Sequence, residues 1–294
     1  LKERRRRERR RMLFILLTLL VIVTAAMFAA LWSPAFRIQH VDAAGPDSDG
    51  IQMTALSSLT GTYKYVLPRN SIFFFPENDM RAQILQQYPD VSAISISRLS
   101  FNTIAIDAVP REAALLWCGA TYTPALSSLA NALVASTTAT STPSIVAPVQ
   151  APCYDADSQG DIFEPDTNPP ADMIRMYDSL ASSTNATNSP LGDTVAEASM
   201  LPNALELVKD IKSLGVPIVS LVLRGDEADM YAQSGTRITY VLGTEQATAE
   251  LATSAFPSLN LNDGSLEYVD LRFAGKVYYK KVGSTKQTDA TSGQ

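Results

Sequence analysis

Histidine and cysteine are nearly absent from this chain: its 294 residues hold one His and two Cys. With His40 alone, no Ser-His-Asp, Cys-His or HExxH arrangement can be completed, and no Gly-rich loop has P-loop or dinucleotide-binding spacing. A Ser-Lys nucleophile stays open, but no SxxK motif is present. His40 falls on a predicted strand, where an ordinary half-exposed residue outweighs a general base. No catalytic residue and no cofactor are therefore expected. Basic residues are scarce beyond the start of the chain. LKERRRRERRRM carries eight of them against Glu3 and Glu8, leaving 16 basic against 28 acidic residues in the remainder. An acidic body argues against nucleic-acid binding, which needs Lys and Arg spread over the contact face. A third absence lies between Cys118 and Cys153, where 34 residues include no Lys, Arg, Asp or Glu and 23 are Ala, Thr, Ser or Pro.

Charge is also missing from MLFILLTLLVIVTAAMFAALW, residues 12–32, which only Thr18 and Thr24 interrupt. At about 1.5 Å rise per residue this run matches the ~30 Å hydrocarbon core of a bilayer. Basic residues crowd one flank and only Arg37 follows soon after the other, which places the N-terminus in the cytoplasm and Trp32 at the far interface. A cleaved signal peptide is the competing reading. Its apolar core usually spans roughly 7–15 residues and ends in an A-x-A-like site, which is poorly formed here. The expected order is a basic cytoplasmic tail (1–12), a transmembrane helix (13–33) and an extracytoplasmic remainder.

That remainder reads as two α+β domains. FRIQHVDA alternates as a strand, with Phe36, Ile38 and His40 on one side; GIQMTALSSL is a short helix. FPENDMRAQILQQYPDV is a helix whose start suits Pro76, Glu77 and Asp79, with Met80, Ile84, Leu85 and Tyr88 on one face and Pro89 as its stop. VSAISISRL and FNTIAIDAV are strands with Ile94 and Ile96, then Ile104 and Ile106, as inward pairs. Further on, residues 165–199 are expected to be loop, with a short helix near Met173 to Leu180. LPNALELVKDIKSLG is a helix with Leu201, Leu205, Val208 and Ile211 on one stripe and Gly215 as its stop. Strands at PIVSLVLRG, ADMYAQ and TRITYVLG, a helix at EQATAELATSAF, and strands at SLEYVDLRF and KVYYKK complete the chain. Residues 282–294 lack apolar anchors and are expected to be disordered.

The order of tail, anchor and domains, with WSPAFRIQHVDAAG and YPDVSAISISRLSFNTIAIDAVPREAALLW, resembles the FtsQ/DivIB family of bacterial division proteins. Pro89, Val91, Arg98, Thr103, Ile104 and Arg111 match the pattern of that family's POTRA domain, while Ala113 stands where Pro is common. GTRITYVLG and the run Tyr268-Val269-Asp270-Leu271-Arg272-Phe273 resemble its C-terminal block. The resemblance implies a POTRA domain at 34–110 and a β-rich domain with helices at 111–281, carrying a low-complexity insertion at 119–152. It also implies a non-catalytic scaffold in the cytoplasmic membrane at the division septum. Its partners would be FtsB- and FtsL-like coiled-coil proteins, with FtsW and FtsI nearby. A cell-envelope enzyme acting on peptidoglycan and a POTRA-bearing export module are the rival readings.

Within this frame the last strands carry the functional expectation. Val269, Leu271 and Phe273 alternate with Tyr268, Asp270 and Arg272, and a short Lys-ended KVYYKK follows. That composition suits a protected sheet edge, and equally an edge to which a partner adds its own strand. The resemblance favours the second reading and assigns partner binding to Tyr268, Asp270, Arg272 and Phe273, with Lys276, Val277, Tyr278 and Tyr279 less securely placed. DADSQGDIFEPD places Asp155, Asp157, Asp161 and Asp166 near calcium-loop positions, but a tight Asp-x-x-Gly turn is favoured. Outside the cytoplasm Cys118 and Cys153 can be oxidised, and AALLWC paired antiparallel with CYDADSQGDIF would set them opposite each other. A disulfide is favoured over two buried thiols or a metal site. Within the insertion, Leu126, Leu129, Ala130, Leu133 and Val134 follow helical spacing.

Overall fold

The computed structural model describes residues 2–63, 67–122, 152–170, 172–182, 189–284 and 288–290. The helix expected around Leu126 to Val134 lies outside them. The described residues form a mixed α+β fold with five α-helices and two mixed sheets. The chain divides into two compact units, residues 1–110 and 111–294.

In the first unit α1 (Lys2–Trp32) contains the apolar run, and the side chains from Met12 to Val23 are exposed. Among the described residues no helix is long and apolar enough to cross a membrane; the side chains at 27, 28, 30 and 31, within the run, are outside the description. The chain continues through a 3-10 turn (Pro34–Phe36) in which Ala35 donates its N–H to the Ser33 hydroxyl at 3.4 Å. Then follow β1 (His40–Ala44), α2 (Ser48–Ser58), a small hairpin of β2 (Thr62–Tyr63) and β3 (Leu67–Pro68), α3 (Glu77–Gln87), β4 (Val91–Arg98) and β5 (Thr103–Pro110). The sheet order is β1-β5-β4, with β1 parallel and β4 antiparallel to β5. Both helices bury their apolar stripes against it: Ile51 and Ala55, and Met80 and Ile84, are inaccessible to solvent alongside Ile104 and Ile106.

One strand phase differs from expectation. Ile38, just before β1, and Val41 are the inward residues and His40 is exposed, because the N–H groups of Gln39 and His40 both donate to Asn102 O, an irregularity that shifts the alternation by one residue. In β4 Ile94 and Ile96 share the inward face as expected, Ile94 buried and Ile96 half-buried against the same core, and a bulge between Val91 and Ala93 brings Val91 inward as well.

The second unit is built on a ten-stranded sheet of order β15-β14-β13-β12-β11-β10-β9-β6-β7-β8. Its strands are β6 (Leu115–Trp117), β7 (Cys153–Ala156), β8 (Ile162–Asp166), β9 (Arg175–Tyr177), β10 (Ile218–Arg224), β11 (Glu227–Ala232), β12 (Arg237–Val241), β13 (Leu266–Asp270), β14 (Val277–Lys281) and β15 (Thr288–Ala290). Helices α4 (Leu201–Ser213) and α5 (Glu245–Ala255) pack against each other and against the face that carries Leu221, Leu223, Met230, Ile238, Tyr240 and Val269.

Two segments correct the sequence reading. The short helix expected near Met173 to Leu180 is instead β9, three residues in mid-sheet, parallel to β6 on one side and β10 on the other. Met176, fully buried, is its anchor, and one apolar residue between Arg175 and Tyr177 leaves no readable period. Residues 288–290, in the tail expected to be disordered, pair antiparallel with β14 through Val277–Ala290, Tyr278–Asp289 and Tyr279–Thr288. Backbone pairing needs no apolar anchor, so composition does not signal it.

Candidate partner-binding site

Among the described residues no helix covers the outer face of strands β11 to β14. Period-2 alternation sends Val269 and Leu271 into the core and their neighbours outward. Cross-strand registers then align Asp229, Thr239, Asp270 and Tyr278 in one row, and Tyr231, Arg237, Tyr268 and Lys280 in the next. Of the expected site residues, Tyr268, Asp270, Arg272, Phe273 and Tyr278 come together on or beside this face. Val277 is 1% exposed and belongs to the core, Tyr279 packs against that core, and Lys276 is exposed in the β13–β14 turn.

The strand ends at Asp270, and the alternation ends with it. Phe273, expected on the inward side with Val269 and Leu271, is 48% exposed and meets Tyr278 edge-on at 5.2 Å. Asp270 turns the chain: its buried carboxylate accepts the Arg272 backbone N–H at 3.1 Å and two guanidinium hydrogen bonds at 3.0 and 2.7 Å. Arg272 reaches on to Glu227 at 2.7 Å, and these bonds, Asp270's foremost, push the guanidinium pKa up. The guanidinium is thus a fixed cation with a planar face at the end of the sheet. Arg237 stacks over Tyr268 at 5.6 Å, and a shallow depression of about 320 Å³ is lined by Arg237, Thr239, Tyr268, Asp270, Arg272 and Phe273.

Sequence reasoning missed Arg237, Thr239 and Glu227. Their signal was present in part: Arg237 and Thr239 are the polar alternate positions of RITYV, and β12 is the neighbour of β13. Glu227 had no signal, because it lies 45 residues from Arg272 in sequence. A second aromatic group was also missed. Tyr122, at the start of the insertion, packs its ring against Tyr177 at 5.0 Å and Tyr231 at 4.2 Å, and burial pushes its phenol up to about 12.

The far end of the sheet is tied down differently. Cys118 and Cys153 form a disulfide next to the pair Trp117–Tyr154, at the neck of the 119–152 insertion. The Asp-x-x-Gly segment is a turn. The Asp157 carboxylate accepts backbone N–H groups of Gln159 and Asp161 at 2.9 and 3.0 Å, and Arg111 bridges Asp157 and Asp161. Gly160 has φ +84°, and a Cβ there would lie 2.4 Å from Val195, so two separate constraints demand glycine. Asp155 and Asp166 sit on β7 and β8, away from the carboxylates that Arg111 joins. Among the described residues no group of three or more His, Cys, Asp or Glu is placed to hold a metal ion.

No protein-family model and no curated protein matches the chain.

Proposed function

We propose that the chain is a non-catalytic, single-pass membrane scaffold of the bacterial divisome, of the FtsQ/DivIB type. It binds FtsB- and FtsL-like partners at the β13–β15 end of its large sheet and so links early division proteins to the septal synthases FtsW and FtsI. In this reading α1 is the membrane anchor, with the N-terminus in the cytoplasm, and the 34–110 unit is a POTRA domain. The anchor is supported by the apolar side chains from Met12 to Val23, which meet no protein core, and by the Arg-rich segment before them. The POTRA reading is supported by the strand–helix–helix–strand–strand order and the β1-β5-β4 sheet.

One observation carries the site: the outer edge of β14 accepts an added strand, and the occupant is three residues of the chain's own tail. A partner strand of ordinary length would displace β15 and gain more backbone hydrogen bonds than it breaks. Phe273, Tyr278 and the fixed Arg272 then supply aromatic and cationic anchors of the kind that dominate interfaces.

Deleting residues 267–281 would remove Val269 from the core and confuse loss of the site with loss of the fold. Surface changes avoid this. Phe273→Ala with Tyr278→Ala should weaken co-purification with the FtsB- and FtsL-like pair by at least about tenfold, the scale of one interface hot spot. Deletion of residues 282–294 should strengthen it. Unchanged recovery in both would sink the proposal.

A further inference from the structure

We infer that the exposed rings of Phe73 and Phe101, gathered on half-buried Phe36 with exposed Leu99 beside them, are a lipid-contacting collar that seats the first unit on the outer leaflet of the membrane. This rests on the reading of α1 as a membrane anchor and goes beyond it, because an anchor alone leaves the following domain free to swing.

The cluster is large and uncovered. Phe73 is 51% exposed, Leu99 61% and Phe101 67%, yet the rings of Phe73 and Phe101 each lie 5.6 Å from that of Phe36. These side chains come from three segments far apart in sequence, joined by backbone hydrogen bonds at one end of the three-stranded sheet. Ile72 N–H donates to Phe36 O at 3.0 Å, Ile38 N–H to Asn70 O at 2.8 Å, and Gln39 N–H to Asn102 O at 2.9 Å. That is the end at which the chain enters from α1, for Phe36 closes the 3-10 turn that begins two residues after Trp32. The occupant of a surface fixed there is the bilayer that α1 enters.

Its chemistry fits that occupant. Arg37 lies over the Trp32 ring at 5.4 Å, and Arg98 donates its Nε to Ile72 O at 2.9 Å, so cations flank the apolar tips. Aromatic tips enter the headgroup and acyl boundary while arginines stay with the phosphates, the arrangement of a membrane-interface belt. Insertion of such groups reaches roughly 5–10 Å below the surface.

The test uses the full chain in vesicles of phosphatidylethanolamine and phosphatidylglycerol. The native cysteines are paired in a disulfide, so one introduced thiol at a time takes an environment-sensitive fluorophore. Leu99→Cys and Phe101→Cys report the collar, Val21→Cys reports α1, and Val109→Cys, 51% exposed near the opposite end of β5, is the aqueous control. Doxyl-labelled lipid should quench positions 99, 101 and 21 several-fold more than 109, while iodide quenches 109 best. Lipid quenching at 21 with only iodide quenching at 99 and 101 overturns the collar and leaves the anchor standing. Absence of lipid quenching at 21 overturns the anchor, and the collar with it.

Discussion

The two edges of the ten-stranded sheet are closed by different means. At the β8 edge a disulfide joins the ends of β6 and β7, Arg111 binds two carboxylates of the adjoining turn, and Pro165 in the outermost strand withholds an N–H from any newcomer. At the β15 edge a three-residue strand lies over β14, reached through a short connection. The first edge is covalently and ionically locked; the second is held by a few backbone hydrogen bonds, each worth about 1 kcal/mol net. On the proposed reading this asymmetry lets a partner strand add at one edge while the other stays closed to edge-to-edge pairing.

The largest expected effect lies at the locked edge. Cys118→Ser with Cys153→Ser should cost up to about 4 kcal/mol, the loop entropy that a cross-link of this span removes from the unfolded chain. Denaturant unfolding measures it, and partner capture by the folded fraction should be unchanged. Next, Arg111→Ala leaves the Asp157 carboxylate, 14% exposed, without its cation, for an expected loss of about 2–3 kcal/mol. At the other edge Arg272→Ala strips the buried Asp270 of its partner. Because Arg272 is itself 36% exposed, solvent screens the pair, and the loss should be about 1–2 kcal/mol. If Arg272→Ala proves costlier than Arg111→Ala, the asymmetry is wrong.

Midway along the sheet, beside β9, Asp178 belongs to neither edge. Burial foremost raises its pKa, against the hydrogen bonds its carboxylate accepts, among them Glu197 N–H at 3.1 Å. A carboxyl with a raised folded pKa binds its proton more tightly in the folded state. Its contribution is therefore full below the unfolded pKa of about 3.9 and is lost as pH rises through the raised value. Melting curves of the wild type should lose ground to Asp178→Asn as pH rises from about 4. Equal slopes would contradict this. Smallest of all, removal of residues 282–294 should change stability by less than about 1 kcal/mol, because the entropy cost of ordering the tail offsets most of what its hydrogen bonds contribute.

How much of this was legible in the sequence follows from the range of the interactions. Helix α4 was readable because Leu201, Leu205, Val208 and Ile211 repeat within one element, Leu205 partly buried and the other three fully. The pairing of β6 with β7 was readable because two cysteines flank adjacent strands. The central position of β9 was not, since its partners β6 and β10 are distant in sequence and one buried Met176 makes no pattern. The site divided in the same way. Tyr268 and Asp270 lie outward as alternation requires, but the Asp270–Arg272 turn breaks the period and exposes Phe273. Glu227 enters only through tertiary folding. Tail strand β15 was invisible because its pairing uses backbone groups that every residue carries.

The asymmetry of the edges is tested most directly by amide hydrogen exchange of the full chain, followed strand by strand. The account predicts that residues 288–290 exchange through local opening, orders of magnitude faster than β14 beneath them or β6 and β7 at the locked edge. Exchange of β15 as slow as that of β14 would show a strand that does not come away, and would contradict the account.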